Sequence, residues 1–341
     1  MPFLNNKKFT LFHLVLFSLV LILVTFSITD FWLTKNSTNV LANKTSSYSC
    51  KYDIKRMNGL KYIKPLMFVD DECESDNFEG IKQRIVEIIN RYKANEGVTD
   101  ASVYFREFES DDWMAVNEDV KYKPGSLFKV PVLITILKMN EDNPNFINKM
   151  VKYDKPFVIE KKVAYTSKTI QVGKSYTIKE LLSYMIEYSD NNATVLLESN
   201  MNGEVFRKLF DLIGLKVPNL TDKEYLISPN EYSLFMRAIY NASYLTIKDS
   251  EYAAELLTHC NFKEGIMKGL PSGTIVAHKF GESGNLVEKQ LHESAIVYLN
   301  SNPYLITVMT KGKDNNKLSQ LIAEISQAVY LDLANGSTST M

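Results

Sequence analysis

A chain of 341 residues with 45% hydrophobic residues holds enough apolar material for one large domain or two small ones. Its formal charge of −1, with acidic and basic residues interspersed, gives no electrostatic footprint for a nucleic-acid partner. No metal-ligand spacing links its four histidines and three cysteines, so no metal or other cofactor is expected.

The N-terminus departs from this average. Lys7 and Lys8 precede a nearly unbroken apolar run, Phe9 to Thr29, whose only polar members are His13 and a few hydroxyl residues. About 20 such residues are long enough to span a bilayer as a helix. A cleaved signal peptide has a shorter apolar core, about 7–15 residues, and ends at a small-residue site. Here the run ends in "SITDFWLTKN", without that site, which favours an uncleaved anchor. The leading lysines put the N-terminus in the cytoplasm, and Trp32 suits the interfacial belt. Residues 1–33 thus read as a cytoplasmic stub and single membrane span, with everything after them extracytoplasmic.

Residues 34–76 read as a polar tether followed by a short Cys-containing segment, basic and aromatic in composition. Cys50 and Cys73 either pair or stand as unrelated thiols. A pair would close a loop of about 20 residues and stabilise by about 3 kcal/mol. A folded domain is expected over 77–335, with 336–341 as a disordered tail. Within it, Ile81, Ile85, Ile88 and Ile89 lie at helical spacing, and "ASVYFREFES" with "DDWMAVNED" reads as a β-hairpin. Ser126 opens an apolar helix through about Met139. A mostly helical block follows from about Tyr176 to Leu257, then three strand-like runs and a closing helix. Early and late strands separated by helices imply an α+β plan: one antiparallel sheet completed from both ends, flanked by helices, with the helical block as an inserted lobe.

Three short motifs carry candidate chemistry. In "KPGSLFKV", Ser126 is a candidate nucleophile and Lys129 its base. The bland alternative is a helix cap, because a Ser at a helix start satisfies an orphan N–H. But the helix it opens is apolar nearly all round, so Lys129 should be buried, its ammonium disfavoured and its amine able to take a hydroxyl proton. In "EYSDNNATVLLE", Ser189 is a candidate proton relay and Asn191 a positioning amide, against ordinary capping at a break between helices. In "TIVAHKFGESG", Lys279 is a candidate site for a substrate carboxylate, and Gly281 leaves room for close approach.

In this order, S-x-x-K, S-D-N and K-x-G resemble the class A β-lactamase family and the related penicillin-binding proteins, over roughly residues 77–335. The resemblance implies a β-lactamase/transpeptidase-like fold and acylation of Ser126 with Lys129 as base. It also implies relay and positioning by Ser189 and Asn191, and carboxylate binding by Lys279. The oxyanion hole would use the backbone N–H groups of Ser126 and Glu282. The implied substrates are β-lactams or peptidoglycan peptides. Two features depart from the family. Between Gly214 and Pro229 there is no E-x-x-L-N, whose Glu activates the deacylating water; Asp222 and Glu224 are the only carboxylates there. Phe280 stands where the family has Thr or Ser, removing a hydroxyl and adding bulk, while Glu282 adds negative charge. No histidine compensates: His259 and His292 have no motif context, and His278 alternates to the face opposite Lys279. A membrane-anchored acyl-serine hydrolase with slow β-lactam turnover is expected. The alternatives are a D-Ala-D-Ala carboxypeptidase or transpeptidase, and a non-hydrolytic sensor of β-lactams or muropeptides.

Overall fold

The computed structural model describes residues 51–95, 97–157, 164–165, 168–218, 225–299 and 302–336, together with Thr25. The expected membrane span and the loop carboxylates Asp222 and Glu224 lie outside the described residues. No described helix is long and apolar enough to cross a membrane.

The first described elements are strands β1 (Tyr52–Arg56) and β2 (Leu66–Asp71), paired as an antiparallel ribbon. The sequence reading assigned no strands here, only a short Cys-containing segment. Most of the ribbon's apolar residues face water, so the alternation that marks a half-buried strand is absent. Cys73, just past β2, is disulfide-bonded, its partner lying outside the described residues; Cys260 is free and buried.

Helix α1 (Glu79–Asn95) buries the isoleucine stripe expected of it. β3 (Val98–Glu107) and β4 (Trp113–Val116) form the expected hairpin. Then come α2 (Lys129–Asp142), the short pair β5 (Met150–Lys152) and β6 (Ser175–Thr177), and five helices. These are α3 (Ile178–Glu187), α4 (Asn191–Glu198), α5 (Gly203–Ile213), α6 (Pro229–Tyr240) and α7 (Ile247–Thr258). Local chemistry sets their ends. Thr177 and Ser228 open α3 and α6 with capping boxes, and Gly214 closes α5 in the left-handed conformation. β7 (Ile275–Gly284), β8 (Lys289–Tyr298), β9 (Tyr304–Gly312) and α8 (Asn315–Gly336) complete the chain.

The main sheet is antiparallel in the order β4-β3-β9-β8-β7, so late strands are added to an early hairpin, as expected. Both faces are covered. On β9, Tyr304, Ile306 and Val308 pack with α1 and α8, while Leu305 and Met309 join the core of the helical lobe. That lobe is built round α2, buried from Lys129 through Leu137. Each aliphatic side chain there contributes roughly 1.5–3 kcal/mol. β7 is an edge strand, and its edge faces the start of α2.

The ribbon is latched to this body by charge. Asp70 Oδ1 lies 2.6 Å from Arg237 Nη1 and 3.7 Å from Arg106 Nη1. Both arginines are almost wholly buried, and Arg237 lies over the Phe68 ring at 4.9 Å. Arg106 keeps a second partner in Asp111 at 2.6 Å, whereas no other carboxylate pairs with Arg237 among the described residues. Asp70→Ala strands a buried guanidinium and should cost about 2–3 kcal/mol, less than a fully buried pair because Asp70 is partly solvated. The urea midpoint reports this; an unchanged midpoint would show that the latch contributes nothing.

Candidate active site

Ser126 sits in a 3₁₀ turn, Gly125–Phe128, that runs into α2 at Lys129. Neither the turn nor the helix has a side-chain cap hydrogen bond, so Ser126 is not the helix cap its position suggested. Residues three apart eclipse in a 3₁₀ turn, which stacks Ser126 and Lys129 along one edge. Ser126 is partly exposed and Lys129 is buried.

The turn is pressed against β7, backbone to backbone. A Cβ on Gly281 would lie 2.3 Å from Pro124 O and 2.8 Å from Leu127 N. A Cβ on Gly125, where φ is +55°, would lie 2.1 Å from Glu282 O and 3.1 Å from Glu282 N. Glycine at both positions allows the contact, and it brings the backbone N–H of Glu282 alongside the turn that carries Ser126.

The break between α3 and α4 supplies the third wall. Asp190 is the true cap of α4, accepting from Asn192 N, and it also holds Thr169 Oγ1 and Ile170 N at 2.9 Å each. The bland reading of this motif therefore holds for its middle residue. Its neighbours point elsewhere. Ser189 has φ +53°, a left-handed conformation unfavourable for a residue with a Cβ. It turns both Ser189 oxygens toward Lys129: Nζ donates to Ser189 O at 2.5 Å and approaches Ser189 Oγ at 3.0 Å. Asn191 Oδ1 accepts from the same amine at 2.8 Å.

Lys279, fully buried on β7, also reaches Ser189 Oγ at 3.0 Å and donates to Phe280 O at 3.1 Å. One hydroxyl thus bridges two lysines. Burial lowers the pKa of Lys129 far below the ordinary lysine range, and the Lys279 charge lowers it further. Burial likewise lowers Lys279. The arrangement can take a proton from one hydroxyl and pass it through another.

Two expectations need correction. Phe280 does not crowd the cleft. Its ring stacks on Phe262 at 4.4 Å in the core shared with α8, and Lys279 Nζ lies 4.2 Å from its centroid. The missing hydroxyl is replaced by a π face that holds the ammonium. Nor is the Glu282 carboxylate a free charge facing substrate. It accepts from Ala164 N at 3.0 Å, Tyr165 N at 3.3 Å and Asn315 Nδ2 at 3.3 Å. His278 does face away from Lys279, pairing with buried Glu293 at 2.7 Å.

Sequence reasoning missed the residues that hold the turn carrying Ser126. His292 Nδ1 accepts from Thr310 N at 3.1 Å, so Nε2 carries the proton and donates to Lys123 O at 3.1 Å. Burial pushes the His292 pKa down to about 3, which keeps this tautomer neutral. Gln290 Oε1 accepts from Lys123 N at 3.1 Å, and Tyr232 donates to Leu127 O at 2.9 Å. The only sequence signal was a lone His and Gln on one apolar strand. No group of three or more His, Cys, Asp or Glu side chains is placed to hold a metal among the described residues.

Comparison with known proteins agrees with this geometry. The Beta-lactamase2 family model, described as the Beta-lactamase enzyme family, matches residues 80–333. The extended-spectrum β-lactamase PER-1 of Pseudomonas aeruginosa is 25% identical over 280 residues, covering 73% of this chain and 86% of that protein. A β-lactamase from Chitinophaga pinensis superimposes with a TM-score of 0.65 at 20% identity, over 75% of this chain and all of that one. PBP-A superimposes at 0.64 and 20% identity, over 75% of this chain and 97% of its own.

Two substitutions test how the turn is held. Gly125→Ala must push the turn off β7 and should cost roughly 1–3 kcal/mol, read as a fall in melting temperature. His292→Phe removes the donor to Lys123 O and the acceptor for Thr310 N. Its stability should drop by about 1–3 kcal/mol, while His292→Gln, which can bond both groups, should recover most of it.

Proposed function

Because the chain belongs to the Beta-lactamase enzyme family, and because Lys129, three residues after Ser126, and a second buried lysine converge on one serine hydroxyl, we propose that it is a serine acyl-enzyme that takes β-lactams and releases them slowly. Ser126 Oγ attacks the lactam carbonyl carbon, and its proton passes to the neutral amine of Lys129. The backbone N–H groups of Ser126 and Glu282 hold the developing oxyanion. The C–N bond breaks, and the leaving nitrogen takes a proton through Ser189 Oγ, which Lys129 and Lys279 resupply. Asn191 keeps the Lys129 amine aimed, and two of the three protons of Lys279 stay committed inside the protein. Gly281 lets the turn that carries Ser126 close on β7, so the approach it permits is that of the turn's backbone.

The observation that carries this reading is the shared Ser189 Oγ. A solvated lysine three residues after a capping serine would not be buried against a second lysine. Slow release rests on the absence of E-x-x-L-N between Gly214 and Pro229. The same absence favours a second reading, a penicillin-binding sensor or carboxypeptidase that stays acylated by β-lactams. A PBP-A variant superimposes as an acyl-enzyme complex with penicillin G at a TM-score of 0.63, which supports a shared fold. Residues 9–29 would anchor the enzyme with its domain outside the cytoplasm.

A chromogenic cephalosporin followed by colour and intact mass tests the proposal. One adduct on Ser126 with few turnovers is expected. Rapid multiple turnover overturns slow release; no adduct with any β-lactam or D-Ala-D-Ala thioester overturns the serine-enzyme reading. Acylation should rise with pH as Lys129 loses its proton, with an inflection well below the ordinary lysine value of about 10.4. Lys129→Ala should lower acylation by about 10²–10⁴-fold.

A further inference from the structure

The β1–β2 ribbon is spent on no part of the active site, yet it carries the largest run of exposed apolar side chains among the described residues. Tyr52, Ile54, Leu60, Tyr62, Ile63 and Leu66 are each between 47% and 85% exposed. They lie within a 15-residue stretch and make up six of the fourteen large apolar side chains exposed among the described residues. Exposure concentrated in this way marks an interaction surface, where scattered apolar residues would not. Between Lys51 and Leu66, Lys51, Lys55, Arg56, Lys61 and Lys64 stand against Asp53, a local charge of +4 in a chain whose total is −1; Asp70 and Asp71 lie at the ribbon's other end, where Asp70 is 3.9 Å from Lys55. Lys61 Nζ lies 5.0 Å from the Tyr62 ring centroid, and Arg56 Nη1 donates to Lys64 O at 3.0 Å, so charge and ring sit together at the tip. The ribbon is also held firmly from behind, by Asp70 on Arg237 and by the buried side chains of Met67 and Phe68.

We propose that this ribbon docks on an anionic lipid surface, with Tyr62 and Ile63 entering the headgroup boundary and Lys61 and Lys64 meeting the lipid phosphates. Tyrosine and lysine together at a projecting tip suit that boundary, where rings sit at headgroup level and each cation near an anionic surface contributes about 1 kcal/mol. Chain length points to the same occupant. Only 22 residues separate Thr29, at the end of the apolar run, from Tyr52. A segment of that length spans about 80 Å at most when fully extended. A tip held at that range needs only weak affinity to stay docked, because tethering supplies a high local concentration. The inference extends the proposed anchor and is independent of the chemistry at Ser126.

The test uses the full chain reconstituted into phosphatidylserine-containing vesicles with brominated acyl chains. Ile63→Trp places a reporter on the tip; Leu286→Trp places one on the β7–β8 turn, where Leu286 is 97% exposed. The added emission of Ile63→Trp should shift to the blue and fall by about half, as for a side chain seated about 5–10 Å into the boundary. That of Leu286→Trp should not change. Lys61→Gln with Lys64→Gln should weaken the effect roughly fivefold per charge, and so should high salt. Equal quenching of the two reporters, or a chain that stays out of the vesicles, overturns the proposal. So does a concentration-dependent dimer abolished by Ile54→Lys, which would assign the ribbon to a second copy of the chain. Labelling of Ser126 by a β-lactam, measured in parallel, reports on the acyl-enzyme separately.

Discussion

Two buried lysines cannot both hold full charge on the same oxygen. Lys129 and Lys279 each reach Ser189 Oγ at 3.0 Å, with no carboxylate hydrogen-bonded to either amine among the described residues. Burial and mutual repulsion push at least one toward the neutral form, and the surroundings decide which. Lys279 has the π face of Phe280 beside it, which favours a cation; Lys129 feels the Lys279 charge and responds by losing its proton more readily. In the proposed mechanism the base is thus made by its neighbour. The pair titrates as a unit, so its proton belongs to the cluster more than to either residue.

The rest of the fold delivers three backbone segments to this point. α2 brings Lys129 up through an apolar lobe, the α3–α4 break brings Ser189, and β7 brings Lys279. The left-handed turn at Ser189 is the local strain in this design. Asp190 over-determines it by capping α4 and tying down Thr169 and Ile170 at once. His292, Gln290 and Tyr232 do the same for the turn that carries Ser126. Precision at the cleft therefore comes from the sheet and from α6, not from the motifs alone.

What the sequence reveals and what it hides divide along the same line. The order of elements, the three motifs and the absent loop glutamate are local patterns, so they are readable residue by residue. Alternation along β7 correctly separates His278 from Lys279, and it also places Phe280 on the far face; expecting that ring to crowd the cleft ignored the pleat. The hydrogen bonds of His292 to Lys123 and of Tyr232 to Leu127 join residues 169 and 105 positions apart, and they use backbone carbonyls that every sequence contains. No motif can announce such a contact. The β1–β2 ribbon escaped for the opposite reason: most of its apolar residues are outside, and the buried pair Met67 and Phe68 is adjacent in sequence, so neither strand shows an alternating buried face.

The contact between Gly125 and Glu282 has a consequence away from chemistry. β7 ends the sheet, and an open edge is a template for another chain's strand. Midway along that edge the 3₁₀ turn leans on the backbone at Gly281 and Glu282, too close for any added strand to enter. The lip of the cleft thus also acts as a guard against edge-to-edge aggregation, and opening it for a bulkier ligand would expose the sheet.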